Sequence, residues 1–168
     1  PKTWYGVGGC AQYLAHPASI AQLAELVARC NRQQMPMYVL GSGANLLVRD
    51  CGVRGMVIQL DDPAFAKVQN DDNIVTVGGG FDLMKLVLLT AKQGLGGLEG
   101  VTGIPASVGG AVRMNAGGTY GDIGGCVRRV QVMSETAQVY HRDRDDLVFS
   151  YRSSNIIAPF ILQVEFEL

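Results

Sequence analysis

The residues best suited to chemistry in this chain form a turn almost without side chains. Met37 to Leu40 is a short apolar run that leads into Gly41-Ser42-Gly43-Ala44-Asn45, and apolar character resumes at Leu46-Leu47-Val48. Two glycines flanking one small residue leave successive backbone N–H groups unshielded, a concavity that suits an anion, most often a phosphate. A tight turn and nothing more is the alternative. Leu46 stands where G-x-G-x-x-G needs its third glycine, and no Gly-Lys-Ser/Thr follows, so neither standard nucleotide fingerprint is met. Three or four backbone donors can still hold a pyrophosphate, because each charge-assisted hydrogen bond contributes about 1.5–3 kcal/mol.

A second glycine-rich system lies about sixty residues further on. From Gly94 to Gly125 nearly every third residue is glycine, yet apolar residues run through the stretch and charges are few. A disordered linker would be more polar, so the composition predicts ordered loops with tight backbone approaches, a natural place for a large flat ligand to touch main chain. A crossover between two packed lobes is the structural alternative.

The bulk composition limits the function classes. A chain of 168 residues, 48% of them apolar, is long enough for one domain or two small lobes sharing a core. The net charge of -1, from 14 basic and 15 acidic residues, gives no electrostatic reason to expect nucleic acid or an anionic membrane as a partner. The longest apolar stretches, such as Leu86 to Leu89, fall far short of the roughly 20 residues that span a bilayer, and no secretory signal is visible. Cys10, Cys30, Cys51 and Cys126 are scattered without a C-x-x-C pair and His16 and His141 stand far apart, so neither zinc nor a disulfide framework is suggested. The thiols read as reduced and mostly buried in a cytoplasmic protein.

The elements that must position the glycine systems are legible in order. Cys10 to Ala15 forms a first strand after the Gly6-Val7-Gly8-Gly9 turn. Ser19 with Gln22 makes a capping-box pattern, and Ile20, Leu23, Ala24, Val27 and Cys30 share one face of a helix ending near Arg32 to Gln34, ahead of Pro36. Strand Met37 to Leu40 completes a β-α-β start that favours a parallel pair. Met56 to Leu60 is a further strand, broken by Asp61-Asp62-Pro63. Phe65 to Gln69 and Ile74 to Val77 flank Asn70-Asp71-Asp72-Asn73, a four-residue hairpin loop. Gly78-Gly79-Gly80 leads to Asp82, the N-cap of a helix carrying Leu83, Leu86, Val87 and Leu89 and closed by Gly94. Val127 to Met133 and Gln138 to His141 form a hairpin around 134–137, and Asp143 to Leu147 one helical turn. Phe160, Leu162, Val164, Phe166 and Leu168 alternate with Gln163, Glu165 and Glu167 in a strand with one wet face. The predicted class is α+β, with an N-terminal α/β lobe over 1–95 and a mostly antiparallel lobe over 96–168.

Three motifs in order, GSGANLLV before a Gly-x-Val-Ile strand, GLEGVTGIPASVGGAVRMNAG, and FSYRSS, resemble the flavin-binding part of the UDP-N-acetylenolpyruvoylglucosamine reductase family. The resemblance runs from about Val7 to the last strand. It implies the two-lobed FAD-binding fold of the vanillyl-alcohol-oxidase type and a reductive step in peptidoglycan precursor synthesis. It implies that Gly41, Ser42, Gly43, Ala44, Asn45 and Leu46 meet the FAD pyrophosphate. Ile104, Pro105, Ala106, Ser107, Val108, Gly109 and Gly110, with Asn115, Ala116, Gly117 and Gly118, would line the flavin and ribityl region. The family usually has serine where Ala44 stands and often glycine where Ala106 stands; backbone donors survive both changes, so the departures bear on affinity.

In the implied reaction NADPH reduces the flavin, which then delivers hydride to the enolpyruvyl double bond of the UDP-sugar substrate. A guanidinium, always protonated and fork-shaped, suits a carboxylate or developing enolate oxygen. Arg152 matches the family's catalytic arginine, with Tyr151 beside it as a weaker substrate-site candidate; a surface arginine is the bland reading. The family's proton-donating serine, in a Gly-Ser-x-Phe-x-Asn-Pro type motif, and its assisting glutamate belong to a following substrate-binding domain, and nothing here matches them. The expectation is a fragment that binds FAD but does not complete turnover, with the missing domain of the same protein as its partner. A flavin oxidase of the same fold, or a non-catalytic nucleotide-binding domain, are the alternatives.

Overall fold

A computed structural model describes residues 2–168. Strand β1 (Ala11–Ala15) leads into helix α1 (Ile20–Arg32), whose Ser19 cap accepts from the Gln22 amide at 3.1 Å while Gln22 Oε1 accepts from the Ala18 N–H at 2.8 Å. The expected capping box forms, with its return bond one residue earlier than the cap. Leu23, Val27 and Cys30 are buried, but Ile20 is exposed: in the first turn it sits beyond the edge of the packed face.

Strands β2 (Met37–Leu40) and β3 (Val53–Gln59) follow. The sheet order is β1-β3-β2, all parallel, so the expected β1–β2 pair is split by β3 inserted between them. Parallel neighbours cannot be joined by a tight hairpin. The chain from Leu40 must travel back along the sheet to reach Val53, and the glycine turn opens that return path.

Strands β4 (Val68–Asp71) and β5 (Ile74–Gly78) form a hairpin with Asp71 opposite Ile74, so the loop is the two residues Asp72-Asn73 instead of the expected four. Asp72 takes a positive φ of 57°, which lets the short turn close. Phe65, expected in this strand, is instead buried at the end of a 3-10 turn. Helix α2 (Leu83–Lys92) is capped by Asp82 and followed by Gly94 at φ 76°. The glycine-rich segment is ordered, and it contains an element the sequence reading missed, helix α3 (Val108–Arg113). The short ladder of β6 (Gly117–Gly118) with β7 (Gly121–Asp122) comes next.

Strands β8 (Val127–Met133), β9 (Val139–Asp143) and β12 (Phe160–Glu167) flank the small hairpin of β10 (Phe149–Ser150) and β11 (Ser153–Ser154). A five-stranded antiparallel sheet runs β4-β5-β12-β8-β9. Its β5–β12 ladder joins residues on either side of the expected division at residue 95.

Two cores result. The larger packs Leu83, Leu86 and Val87 of α2 and Val108, Ala111 and Val112 of α3 against the sheet; the smaller packs Leu23 and Val27 of α1 on Ile58, Phe65, Met133, Phe160 and Leu162. The expected alternation along β12 is broken by a bulge at Leu162, so Phe160 and Leu162 serve the smaller core while Val164 and Phe166 serve the larger. Only Cys30 of the four cysteines is buried, and burial pushes its thiol pKa up; Cys10 and Cys51 are exposed, against expectation. No helix among the described residues is long and apolar enough to cross a membrane. Phe160→Ala, which empties a fully buried site shared by α1 and the sheet, is expected to cost about 3–5 kcal/mol in urea denaturation.

Candidate functional site

A cleft of about 1360 Å³ runs between the parallel sheet and the α3 side of the molecule. It runs over the parallel sheet, lined along β2 from Met37 to Leu40 and along β3 from Val53 to Gln59, and reaches the glycine turn at Gly41-Ser42. Gly41 follows directly from β2 and its carbonyl accepts from Gln59 Nε2 at 3.2 Å. A Cβ on Gly41 would stand 2.5 Å from Ser107 Oγ, so a side chain there would have to displace the hydroxyl that meets the first glycine turn. Ser107 caps α3, accepting from the Gly110 N–H at 3.4 Å.

The structure sorts the predicted residues into groups. Gly41, Ser42, Leu46, Ala106, Ser107, Gly109 and Gly110 line the main cleft together. Ile104, Pro105, Gly117 and Gly118 line a second cavity of about 620 Å³, with Glu99, Tyr120 and Arg152. Gly43, Ala44 and Asn45 shape the turn without lining either cavity; Gly43 is buried and its carbonyl accepts from the Trp4 N–H at 3.0 Å. Val108 and Ala116 are core residues beneath the loops.

Asn115, also buried, ties loops together. Its Nδ2 donates to the Ser150 carbonyl and its Oδ1 accepts from the Gly124 N–H, both at 3.0 Å. Arg152 sits at the tip of the β10–β11 hairpin with φ 56°, its guanidinium 5.7 Å from the Tyr151 ring. Tyr151 is 90% exposed and lines neither cavity. No acidic side chain pairs with Arg152 among the described residues, which leaves its charge available to an anion.

Several lining residues went unrecognised in the sequence. Gly79 and Gly80, read only as a lead into α2, form part of the cleft wall. A Cβ on Gly79 would collide with the Ile161 carbonyl, while its N–H donates to Leu162 O at 2.9 Å and its carbonyl accepts from Gly109 N at 2.8 Å. The glycine triplet was the available signal. Gly8 and Gly9 line the same cleft; the Gly9 N–H donates to Arg49 O at 2.9 Å, which straps the N-terminal turn to the returning loop.

Lys2, Arg49, Arg54 and Arg113 bring four basic side chains to the cleft against Asp61 and Asp82. Asp61 is already engaged by His16 Nδ1 at 2.6 Å, and Asp82 caps α2. Burial lowers the Arg113 pKa, yet the guanidinium keeps its proton, donating to the carbonyls of Ile156, Ala158 and Pro159. An elongated concavity with unshielded backbone and a surplus of cations fits a dinucleotide carrying a pyrophosphate. No cluster of three or more His, Cys, Asp or Glu side chains suited to a metal occurs among the described residues.

Residues 11–142 match the FAD binding domain family. The chain belongs to that family. It is 36% identical over 165 residues to UDP-N-acetylenolpyruvoylglucosamine reductase of Rhodopirellula baltica, covering 98% of this chain and 54% of that relative. The solved UDP-N-acetylenolpyruvylglucosamine reductase of Thermus caldophilus superposes with a TM-score of 0.76 at 35% identity, over 99% of this chain and 58% of that one. The 6-hydroxy-D-nicotine oxidase of Arthrobacter nicotinovorans shares the fold, with a TM-score of 0.71 at 20% identity over 92% of this chain and 35% of its own. The expected resemblance and the two-lobed FAD-binding fold of vanillyl-alcohol-oxidase type are thus borne out. This FAD-binding domain spans about half the length of the reductases it matches.

Gly41→Ala is expected to weaken FAD binding on the order of tenfold by forcing the two glycine systems apart. Flavin-fluorescence titration of Gly41→Ala beside Gly41→Ala/Ser107→Ala checks the cause, since removing the opposing hydroxyl should recover most of the loss.

Proposed function

We propose that this chain is the FAD-binding part of an NADPH-dependent reductase that converts UDP-N-acetylglucosamine enolpyruvate to UDP-N-acetylmuramate, in the cytoplasm, for peptidoglycan synthesis. The observation that carries the reading is the joining of the two glycine systems at Gly41 and Ser107, with the second system continuing into the cavity that holds Arg152. Similarity to reductases along nearly the whole chain supports it.

FAD, when bound, supplies a centre that accepts hydride from NADPH and passes it on. The chain's own residues bind and orient. Gly41, Ser42 and Leu46 of the first turn and Ala106, Ser107, Gly109 and Gly110 of the second form the surface against which the cofactor lies, with the basic side chains of the cleft offsetting phosphate charge. Arg152 holds the substrate carboxylate and stabilises negative charge developing on its oxygen, which a fixed cation does best where water is excluded. Asn115 holds the hairpin that carries Arg152. Tyr151 flanks the guanidinium and orients it through its ring face. The proton that completes the reduction is left to the part of the reductases that this chain does not cover.

Purified chain mixed with FAD is expected to show a bound-flavin visible spectrum that bleaches on anaerobic NADPH addition. A colourless protein that takes up no flavin would overturn the reading. A bound flavin that stays oxidised would remove the nicotinamide step, and hydrogen peroxide released in air under turnover would mark an oxidase instead. The chain alone is expected to give no steady enolpyruvate reduction.

A further inference from the structure

One short element, α3, lines the main cleft through Gly109, Gly110 and Arg113, and the chain on either side of it, at Ile104-Pro105 and Gly117-Gly118, lines the second cavity. At the start of α3, Ser107 meets Gly41, and Gly109 and Gly110 line the main cleft. At its end Arg113, and just beyond it Asn115, grip the segment that carries Arg152. The Arg113 carbonyl accepts from Ser154 Oγ at 2.8 Å. The Arg113 guanidinium donates to the carbonyls of Ile156, at 2.8 Å, and Pro159, at 3.0 Å, and also to that of Ala158. Asn115 reaches the other strand of the hairpin at Ser150. Both strands flanking Arg152 are therefore held from α3, while the tip itself is exposed.

The chemistry of the grip is unusual for a half-buried guanidinium. Arg113 has no carboxylate partner among the described residues, so three main-chain carbonyls of one connecting segment satisfy it. A neutral side chain of similar length would leave those carbonyls without donors, and the 154–159 segment would lose its tie to α3. The two-residue β10 and β11 strands contribute too few ladder bonds to hold the hairpin by themselves. Its position is thus tied to Arg113, which is also one of the residues that line the main cleft.

We propose that α3 couples the two cavities, so that a dinucleotide in the main cleft immobilises the Arg152 hairpin, with Arg113 as the positioning residue that transmits the constraint. The inference rests on the FAD reading of the cleft. It assigns Arg113 a role beyond lining: the cofactor's presence in the main cleft prepares the Arg152 guanidinium for its anionic substrate.

Trypsin reads the hairpin directly, because Arg152 is itself a cleavage site on an exposed tip. With opening and closing fast relative to cleavage, the rate at Arg152–Ser153 tracks the open population, so FAD at about ten times its Kd is expected to slow that cut about tenfold. Mass spectrometry identifies the cut, and flavin fluorescence measures Kd on the same samples. Arg113→Met is expected to raise cleavage at this bond several-fold in the free chain and to abolish FAD protection, with Arg113→Lys restoring part of it. Ser154→Ala, which removes one tie and touches neither cavity, is expected to bind FAD within about twofold of the unmodified chain while losing at least half of the protection. FAD that binds without slowing the cut, or protection unchanged in both Arg113→Met and Ser154→Ala, overturns the coupling and leaves the cofactor assignment standing. Failure to bind FAD overturns both.

Discussion

At Gly79 three main-chain segments pass within hydrogen-bonding distance of one another, and the rest of the molecule is arranged around that meeting. The residue follows β5, donates to β12 at Leu162 and accepts from α3 at Gly109. Any side chain there would strike the Ile161 carbonyl. Backbone hydrogen bonds made at such short range need no partner side chains, only their absence. The same restriction recurs at Gly41, where a missing Cβ lets the loop after β2 meet Ser107. Glycine excess in this chain is therefore the mark of main chain packed on main chain, and the cleft is the space those close approaches enclose.

Packing explains why the cleft lies where it does. The smaller core joins α1 and the parallel sheet to one side of the antiparallel sheet through Phe160 and Leu162, whereas the larger core fixes α2 and α3 on the other. The bulge at Leu162 lets β12 serve both, since one extra residue reverses which side chains face each core. The parallel connection from β2 to β3 then has to run outside both cores. It becomes a loop held by main-chain bonds, such as that between Gly9 and Arg49, and several of its residues line the cleft.

Arg152 illustrates how the scaffold produces a chemical group without burying it. Its hairpin is short and its tip exposed, yet Asn115, Arg113 and Ser154 fix both flanks. Surface arginines without such support spend their rotamer freedom in solvent and contribute little. Here the charge faces a cavity shared with Glu99, Ile104 and the Gly117-Gly118 ladder.

Much of this was determined by the sequence alone. Ser19, Asp82 and Gly94 mark helix ends through local hydrogen bonding and permitted φ values, and the apolar periods place α1, α2 and β12 within a few residues. The three ordered motifs sufficed for the family and for the two glycine systems. Tertiary structure decided what depends on contacts remote in the chain. Insertion of β3 between β1 and β2 follows from sheet pairing, which local propensity does not encode. Helix α3 was hidden because Gly109 and Gly110 are poor helix formers, and packing of Val108, Ala111 and Val112 in the core overrides that weakness. The roles of Asn115 and Arg113 were illegible for the same reason: the carbonyls they donate to lie 35 to 46 residues away, and only the fold brings a buried amide and a half-buried guanidinium to them.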